Sequence, residues 1–277
     1  MESDHESRPL GEPPRAEDQG LGEPAAPGVS GPPLGIPVAQ PVIGAAGRVA
    51  PGGIDLLIGV ACAWWMEIAL GGGLALVVLL REGNSGTFDL GMLPPLGILA
   101  TALTSAVFAG LVSWYFVCHR YRRSLAEGLA IKKVGPLTVA ACVGLAVAGA
   151  ILPMLGSSSG GTGRSPMAQL VSTREGLAVI CALALILPPL EEVYYRGFIF
   201  PILRRYLGAP WAIVLVTLWF GGAHFPQLMG DWPTLVIVTG MGALWTILRH
   251  VTGSLVPSIM THWIYNLLVV LPAIFWD

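Results

Sequence analysis

Three short polar groups interrupt the apolar C-terminal third of this chain. Glu191-Glu192-Val193-Tyr194-Tyr195-Arg196 follows the apolar run Ala178–Leu190. Phe220-Gly221-Gly222-Ala223-His224 comes next, and His262-Trp263-Ile264-Tyr265-Asn266 lies in the last apolar stretch. Carboxylates, imidazoles and a carboxamide are the groups hydrolysis needs: a base, a proton carrier, and donors to developing negative charge. On a helix Glu192 and Arg196 share a face and pair, which reads as a structural or orienting ion pair. Glu191 points about 100° away around the axis and stays available. His262 and Asn266, one turn apart, present two polar heads to one place. Taken singly, His224 reads as an interfacial histidine, and His262 equally well as a helix-packing one. Ionisable groups in apolar spans are costly, and it is their collection in one part of the chain that argues for function.

The elements that must position these groups are membrane helices. The 277 residues are 54% hydrophobic and 12% charged, with a net charge of −2, and the mean hydropathy is +0.69. Soluble domains carry about 25% charged residues, so this composition excludes a soluble enzyme and a coiled coil. The near-neutral charge leaves no basic surface for nucleic acid. Spans need about 20 apolar residues. Candidates are Ile54–Leu80, Leu93–Cys118, Val134–Leu155, Glu175–Leu203, Trp211–His224, Leu235–Leu248 and Leu255–Phe275. The fold class is therefore all-α, a polytopic transmembrane bundle of about seven spans, with the fifth and sixth short enough to be tilted, kinked or re-entrant. Trp64, Trp65, Trp114, Tyr115, Trp211 and Trp232 suit interfacial depths. Pro188 and Pro189 are expected to break or bend the fourth span just before the glutamates.

Three regions follow: 1–50, a disordered acidic tail rich in Pro and Gly; 51–173, N-terminal membrane helices; and 174–277, the part that carries the polar groups. Cys62, Cys118, Cys142 and Cys181 all lie in or beside apolar runs and read as small buried hydrophobes. Arg120, Arg122, Arg123, Lys132 and Lys133 follow the second span. By the positive-inside rule that loop, the N-terminus, Arg204, Arg205 and Arg249 are cytoplasmic, while Arg81, Arg164 and Arg174 are outside. Glu67 in the first span needs a partner or water.

The ordered set Glu191-Glu192…Arg196, Phe220…His224, Thr252-Gly253-Ser254-Leu255 and His262…Asn266 resembles the CPBP family of intramembrane proteases, the CAAX-protease or Abi group, type II CAAX prenyl endopeptidase-like. The match covers roughly residues 174 to 275. The resemblance implies an all-helical membrane core, a cavity facing the cytosolic leaflet, and hydrolysis of a peptide bond in a membrane-associated, CAAX-type prenylated protein or peptide. It implies Glu191 as the residue activating water, His224, His262 and Asn266 as groups holding that water or stabilising the oxyanion, and Glu192 and Arg196 as support.

Two chemical versions stand side by side. In one, Glu191, His224 and His262 ligate a divalent metal such as zinc. In the other, Glu191 acts on water directly, and the absence of an H-E-x-x-H motif favours this version. A non-catalytic membrane scaffold, or an immunity-type protein using the same residues structurally, is the alternative. Depth sets a geometric condition. Counted from the cytoplasmic end, Glu191 and His224 lie roughly 20 Å deep and His262 only roughly 10 Å. They meet only if the fifth helix tilts or the last begins deeper.

Overall fold

The computed structural model describes residues 50–82, 94–156 and 165–275. Of the predicted tail only Ala50 falls within them, and the side chains of Glu67 and Arg81, like all of Arg164, lie outside. The described residues are helical, without strands: α1 (Gly53–Glu82), α2 (Pro95–Trp114), α3 (Leu125–Gly128), α4 (Pro136–Gly156), α5 (Pro166–Val171), α6 (Arg174–Glu192), α7 (Phe200–Leu228), α8 (Trp232–Thr252) and α9 (Val256–Phe275). π-helical turns extend α2 through Tyr115–Arg120 and join α6 to α7 through Val193–Ile199.

Local chemistry sets the boundaries that matter. The Thr173 hydroxyl accepts from the Gly176 amide at 3.0 Å and starts α6, as the Asp231 carboxylate does for α8 at the Thr234 amide, 3.2 Å; such caps satisfy donors a helix start leaves open. Gly208 takes φ 77°, ψ 169° and breaks α7 into two passes, a conformation only glycine adopts cheaply. Gly253, at φ 61°, ends α8.

Gly53–Val77, Pro95–Arg120, Arg174–Leu228 and Trp232–Thr252 are long and apolar enough to cross a bilayer, and Pro136–Leu152 and Val256–Leu271 are shorter apolar helices. With the break at Gly208 these are the seven segments expected. The fifth and sixth are longer than the sequence suggests: the helices run on through His224 to Leu228 and through Leu248 to Thr252. Polar residues at their ends hid those turns. Pro188 and Pro189 do not break α6, which continues through both to Glu192; the π-helical turn follows beyond them. The exposed face carries large apolar side chains such as Leu57, Leu137, Trp211 and Val236, as a lipid-facing surface must. The chain is an integral membrane protein, a helical bundle.

Helix α7 packs on α8, α9 on α4 and α6, and α2 on α1 and α6. Contacts at one end of the bundle tie the elements together. Arg120 Nε donates to Asp55 Oδ1 at 3.3 Å, the Gly53 amide to the Tyr206 hydroxyl at 3.1 Å, and Arg205 Nη1 to the Pro51 carbonyl at 3.5 Å. Burial first, and then the Asp55 carboxylate, push the Tyr121 phenol well above its ordinary range, so it stays neutral. Beside this end, α9 begins beneath a cap. The Leu255 amide donates to the Ala130 carbonyl at 3.0 Å and Ser254 Oγ to the Lys132 carbonyl at 3.1 Å, with Ser254 and Leu255 both buried. The start of the last helix is thus buried beneath that cap.

Candidate active site

The π-helical turn Val193–Ile199 is the local feature on which the site is built. Pro188 and Pro189 have no amide hydrogen to give to the preceding turn, a defect that membrane helices tolerate when neighbours compensate. At the end of α6 the Val193 amide is shared between the carbonyls of Pro189 and Leu190. The wider turn that follows buries every residue from Tyr194 to Phe200, a run no regular amphipathic helix could bury on one side. Such π-turns concentrate at functional sites.

Arg196 sits at the centre, fully buried. Its Nη1 donates to Glu192 Oε1 at 2.7 Å, its Nε to Thr246 Oγ1 at 3.1 Å, and its Nη2 to the Gly242 carbonyl at 2.7 Å. The guanidinium also lies 4.7 Å from the Phe220 ring centroid and 5.6 Å from that of Trp245, so cation–π attraction replaces part of its lost hydration. Gly242 makes this approach possible: a Cβ there would sit 2.7 Å from Phe220 Cδ1 and 3.4 Å from Arg196 Nη2.

Glu192, equally buried, accepts on the same Oε1 from His262 Nδ1 at 2.9 Å. A carboxylate cannot donate, so this contact puts a proton on Nδ1 and turns Nε2 toward the rest of the site. There His262 Nε2 stands 3.7 Å from Glu191 Oε2. Trp245 stacks on the imidazole with centroids 3.6 Å apart and planes 15° from parallel. Two adjacent glutamates therefore address opposite nitrogens of one ring, and Arg196 anchors the inner one. Glu191 is the more accessible: its side chain is 21% exposed, against none for Glu192.

His224 and Asn266 complete the group less directly. His224 Nδ1 donates to the Phe220 carbonyl at 2.9 Å, leaving Nε2 available. The Phe220 ring touches both imidazoles, 4.4 Å from His224 and 5.9 Å from His262 between centroids. Asn266 is half-buried one turn beyond His262 on α9. Contacts thus join Glu191, Glu192, Arg196 and His262. Phe220 links His224 to them, and Asn266 is related by helix position. The sequence reading missed Gly242, Trp245 and Thr246. Their signal is a stripe at three- and four-residue spacing in Gly242-Ala243-Leu244-Trp245-Thr246, which reads as ordinary span packing until a buried arginine is set against it.

A catalytic zinc needs three protein ligands converging on one point. Among the described residues no three His, Cys, Asp or Glu side chains gather as a metal-holding group. Of the three candidate ligands, Glu191 and His262 approach each other at 3.7 Å, while among the described residues His224 does not gather with them as a metal-holding group. As arranged, the Glu191, His224 and His262 set does not fit such a metal, and no step below runs through one.

No curated protein and no solved structure matches the chain. A family model does: Type II CAAX prenyl endopeptidase Rce1-like, over residues 173–268. That stretch runs from the cap of α6 to beyond Asn266 and takes in every polar group of this site. Over residues 173–268, on the ordered motifs that carry the site, the chain is thus similar to the Rce1-like type II CAAX prenyl endopeptidases.

Proposed function

We propose that the chain hydrolyses a peptide bond near the C-terminus of a prenylated, membrane-associated protein or peptide, with water activated by Glu191. The observation that carries the reading is the spacing of Glu191 Oε2 and His262 Nε2, 3.7 Å. Two acceptors at that separation are too far apart for a direct hydrogen bond and suited to sharing a water. Glu191 takes a proton from that water as its oxygen bonds to the scissile carbonyl carbon. The tetrahedral oxyanion is met by the Asn266 amide, a donor of a kind worth about 3 kcal/mol where such donors have been removed from soluble enzymes. The C–N bond then breaks, and Glu191 returns its proton to the leaving amine. Glu192 and Arg196 hold His262 in the required tautomer throughout.

The substrate class rests on the family and on a cavity of about 400 Å³ between α7 and α8, lined by Leu218, Gly221, Gly222, Phe225, Leu235 and Thr239. It adjoins the turn that carries His224, is almost entirely apolar, and suits an isoprenoid chain entering from the bilayer. By the positive-inside rule, the cations at the other end of α7 and α8 support a cytoplasmic position for that end of the bundle, where prenylated C-termini would be presented.

The test is cleavage of a prenylated CAAX-type peptide by the purified protein in lipid nanodiscs, followed by mass spectrometry. Wild type releases the C-terminal fragment, and Glu191→Gln releases none while keeping its thermal unfolding temperature. Cleavage by Glu191→Gln at the wild-type rate overturns the mechanism.

A further inference from the structure

A second set of charged groups lies away from Glu191 and takes no part in the hydrolysis described above. Arg249, in the last turn of α8, is only 8% exposed. Its Nε has no hydrogen-bond partner, and among the described residues no carboxylate pairs with it. The neighbouring His250 Nδ1 is likewise buried without a partner. Arg249 lines a cavity of about 290 Å³ with Phe200, Pro201, Arg204 and Arg205. Three guanidiniums thus border one hollow that, among the described residues, no acidic side chain lines.

Ordinary causes do not account for this arrangement. The α8 C-terminus favours a cation in its last turn, but that attraction is weak and local and does not bring Arg204 and Arg205 from another helix. A buried guanidinium without a counter-charge is costly, and two more beside it add repulsion. The hollow lies close before the Gly208 break of α7 and the Gly253 end of α8. It shares that end of the bundle with Pro51, which accepts from Arg205. Spans end there, so this is the depth of lipid headgroups. Guanidinium forks match the oxygens of a phosphate, two hydrogen bonds at a time, better than any other common anion at such a boundary.

We propose that Arg204, Arg205 and Arg249 form a binding site for a phosphate group, that of an anionic lipid headgroup or free phosphate. The site stands apart from the peptidase reading and requires nothing of it. Phe200 and Pro201 supply an apolar wall beside the charges.

The experiment uses the full chain in detergent micelles, with thermal unfolding followed by intrinsic fluorescence on adding phosphatidic acid, phosphatidylcholine, inorganic phosphate or oleate. Phosphatidic acid raises the unfolding temperature of wild type, whereas phosphatidylcholine and oleate do not. If inorganic phosphate reproduces the rise, the ligand is the free anion; if only the lipid does so, it is the headgroup. The apparent affinity for the active probe falls about tenfold or more in Arg249→Gln, the worth of a charged hydrogen bond. The exposed double variant Arg204→Gln/Arg205→Gln shows the same loss and decides the matter should Arg249→Gln not fold. A rise of equal size with oleate, no rise with either phosphate probe, or wild-type affinity in the double variant overturns the proposal.

Discussion

His262 and Glu192 are joined across 70 residues of sequence by a 2.9 Å contact between Nδ1 and Oε1, inside a region closed to solvent. The contact sets which nitrogen of His262 carries the proton, and so which nitrogen faces Glu191. Glu192→Gln keeps the side-chain shape but removes the charge that holds Nδ1–H in place. If His262 acts through Nε2, kcat falls about a hundredfold, in the range found when a carboxylate orienting a functional histidine is lost, with little change in KM. Single-turnover cleavage measured beside thermal unfolding checks it. A variant with wild-type kcat removes any tautomer-setting role for Glu192.

The Glu192–Arg196 pair has a separate energetic consequence. Both side chains are fully buried, so removing one strands the other's charge, at a cost of about 3–5 kcal/mol. Arg196→Met is therefore expected to lower stability by about that amount, read as a reduced denaturation midpoint in mild detergent. Replacing both, Glu192→Leu with Arg196→Met, removes the stranded charge and is expected to restore most of the loss. Cleavage does not return with it, because His262 has then lost its anchor. Recovery of both stability and cleavage would mean the pair only ties helices together.

Trp245 contributes through its face. Its ring stacks on His262 at 3.6 Å between centroids and meets Phe220 edge-on at 5.6 Å. Aromatic pairs of this kind are worth about 0.5–1.5 kcal/mol beyond the area they bury. Trp245→Leu keeps an apolar side chain but loses the stack, so His262 samples other orientations and kcat falls up to about tenfold. Trp245→Phe, which can still stack, recovers most of that rate. If Leu and Phe behave alike, the ring serves only as bulk.

Much of this was legible in the sequence, for physical reasons that differ from place to place. The spans announce themselves because bilayer thickness dictates their length, and Glu192–Arg196 does so because helix geometry puts residues four apart on one face. His262 with Glu192 is different in kind: the two are remote in sequence, and only the meeting of α6 with α9 joins them. Pro188 and Pro189 suggest a break or a bend; the helix continues through both, so no break occurs, and a π-helical turn lies beyond them at Val193–Ile199. Arg196 was readable as one half of an ion pair. Its hold on Thr246 and Gly242 was not, because a threonine and a glycine in an apolar span carry no charge to mark them.

The groove between α7 and α8 gives a test of substrate class that leaves the acid–base groups untouched. Gly222 borders it, and a Cβ built there meets no atom within 4 Å. A side chain at this position therefore has room to start at the border of the groove. Gly222→Leu should also be mildly favourable for helix stability, since glycine costs about 1 kcal/mol relative to good helix formers. If the groove takes the isoprenoid, the variant unfolds no lower than wild type yet shows a KM for the farnesylated peptide raised about tenfold, as expected when several buried methylenes lose their contacts. Its KM for a peptide with a shorter lipid rises less. An unchanged KM for both peptides would place the lipid elsewhere on the bundle and leave the groove as ordinary membrane-facing surface.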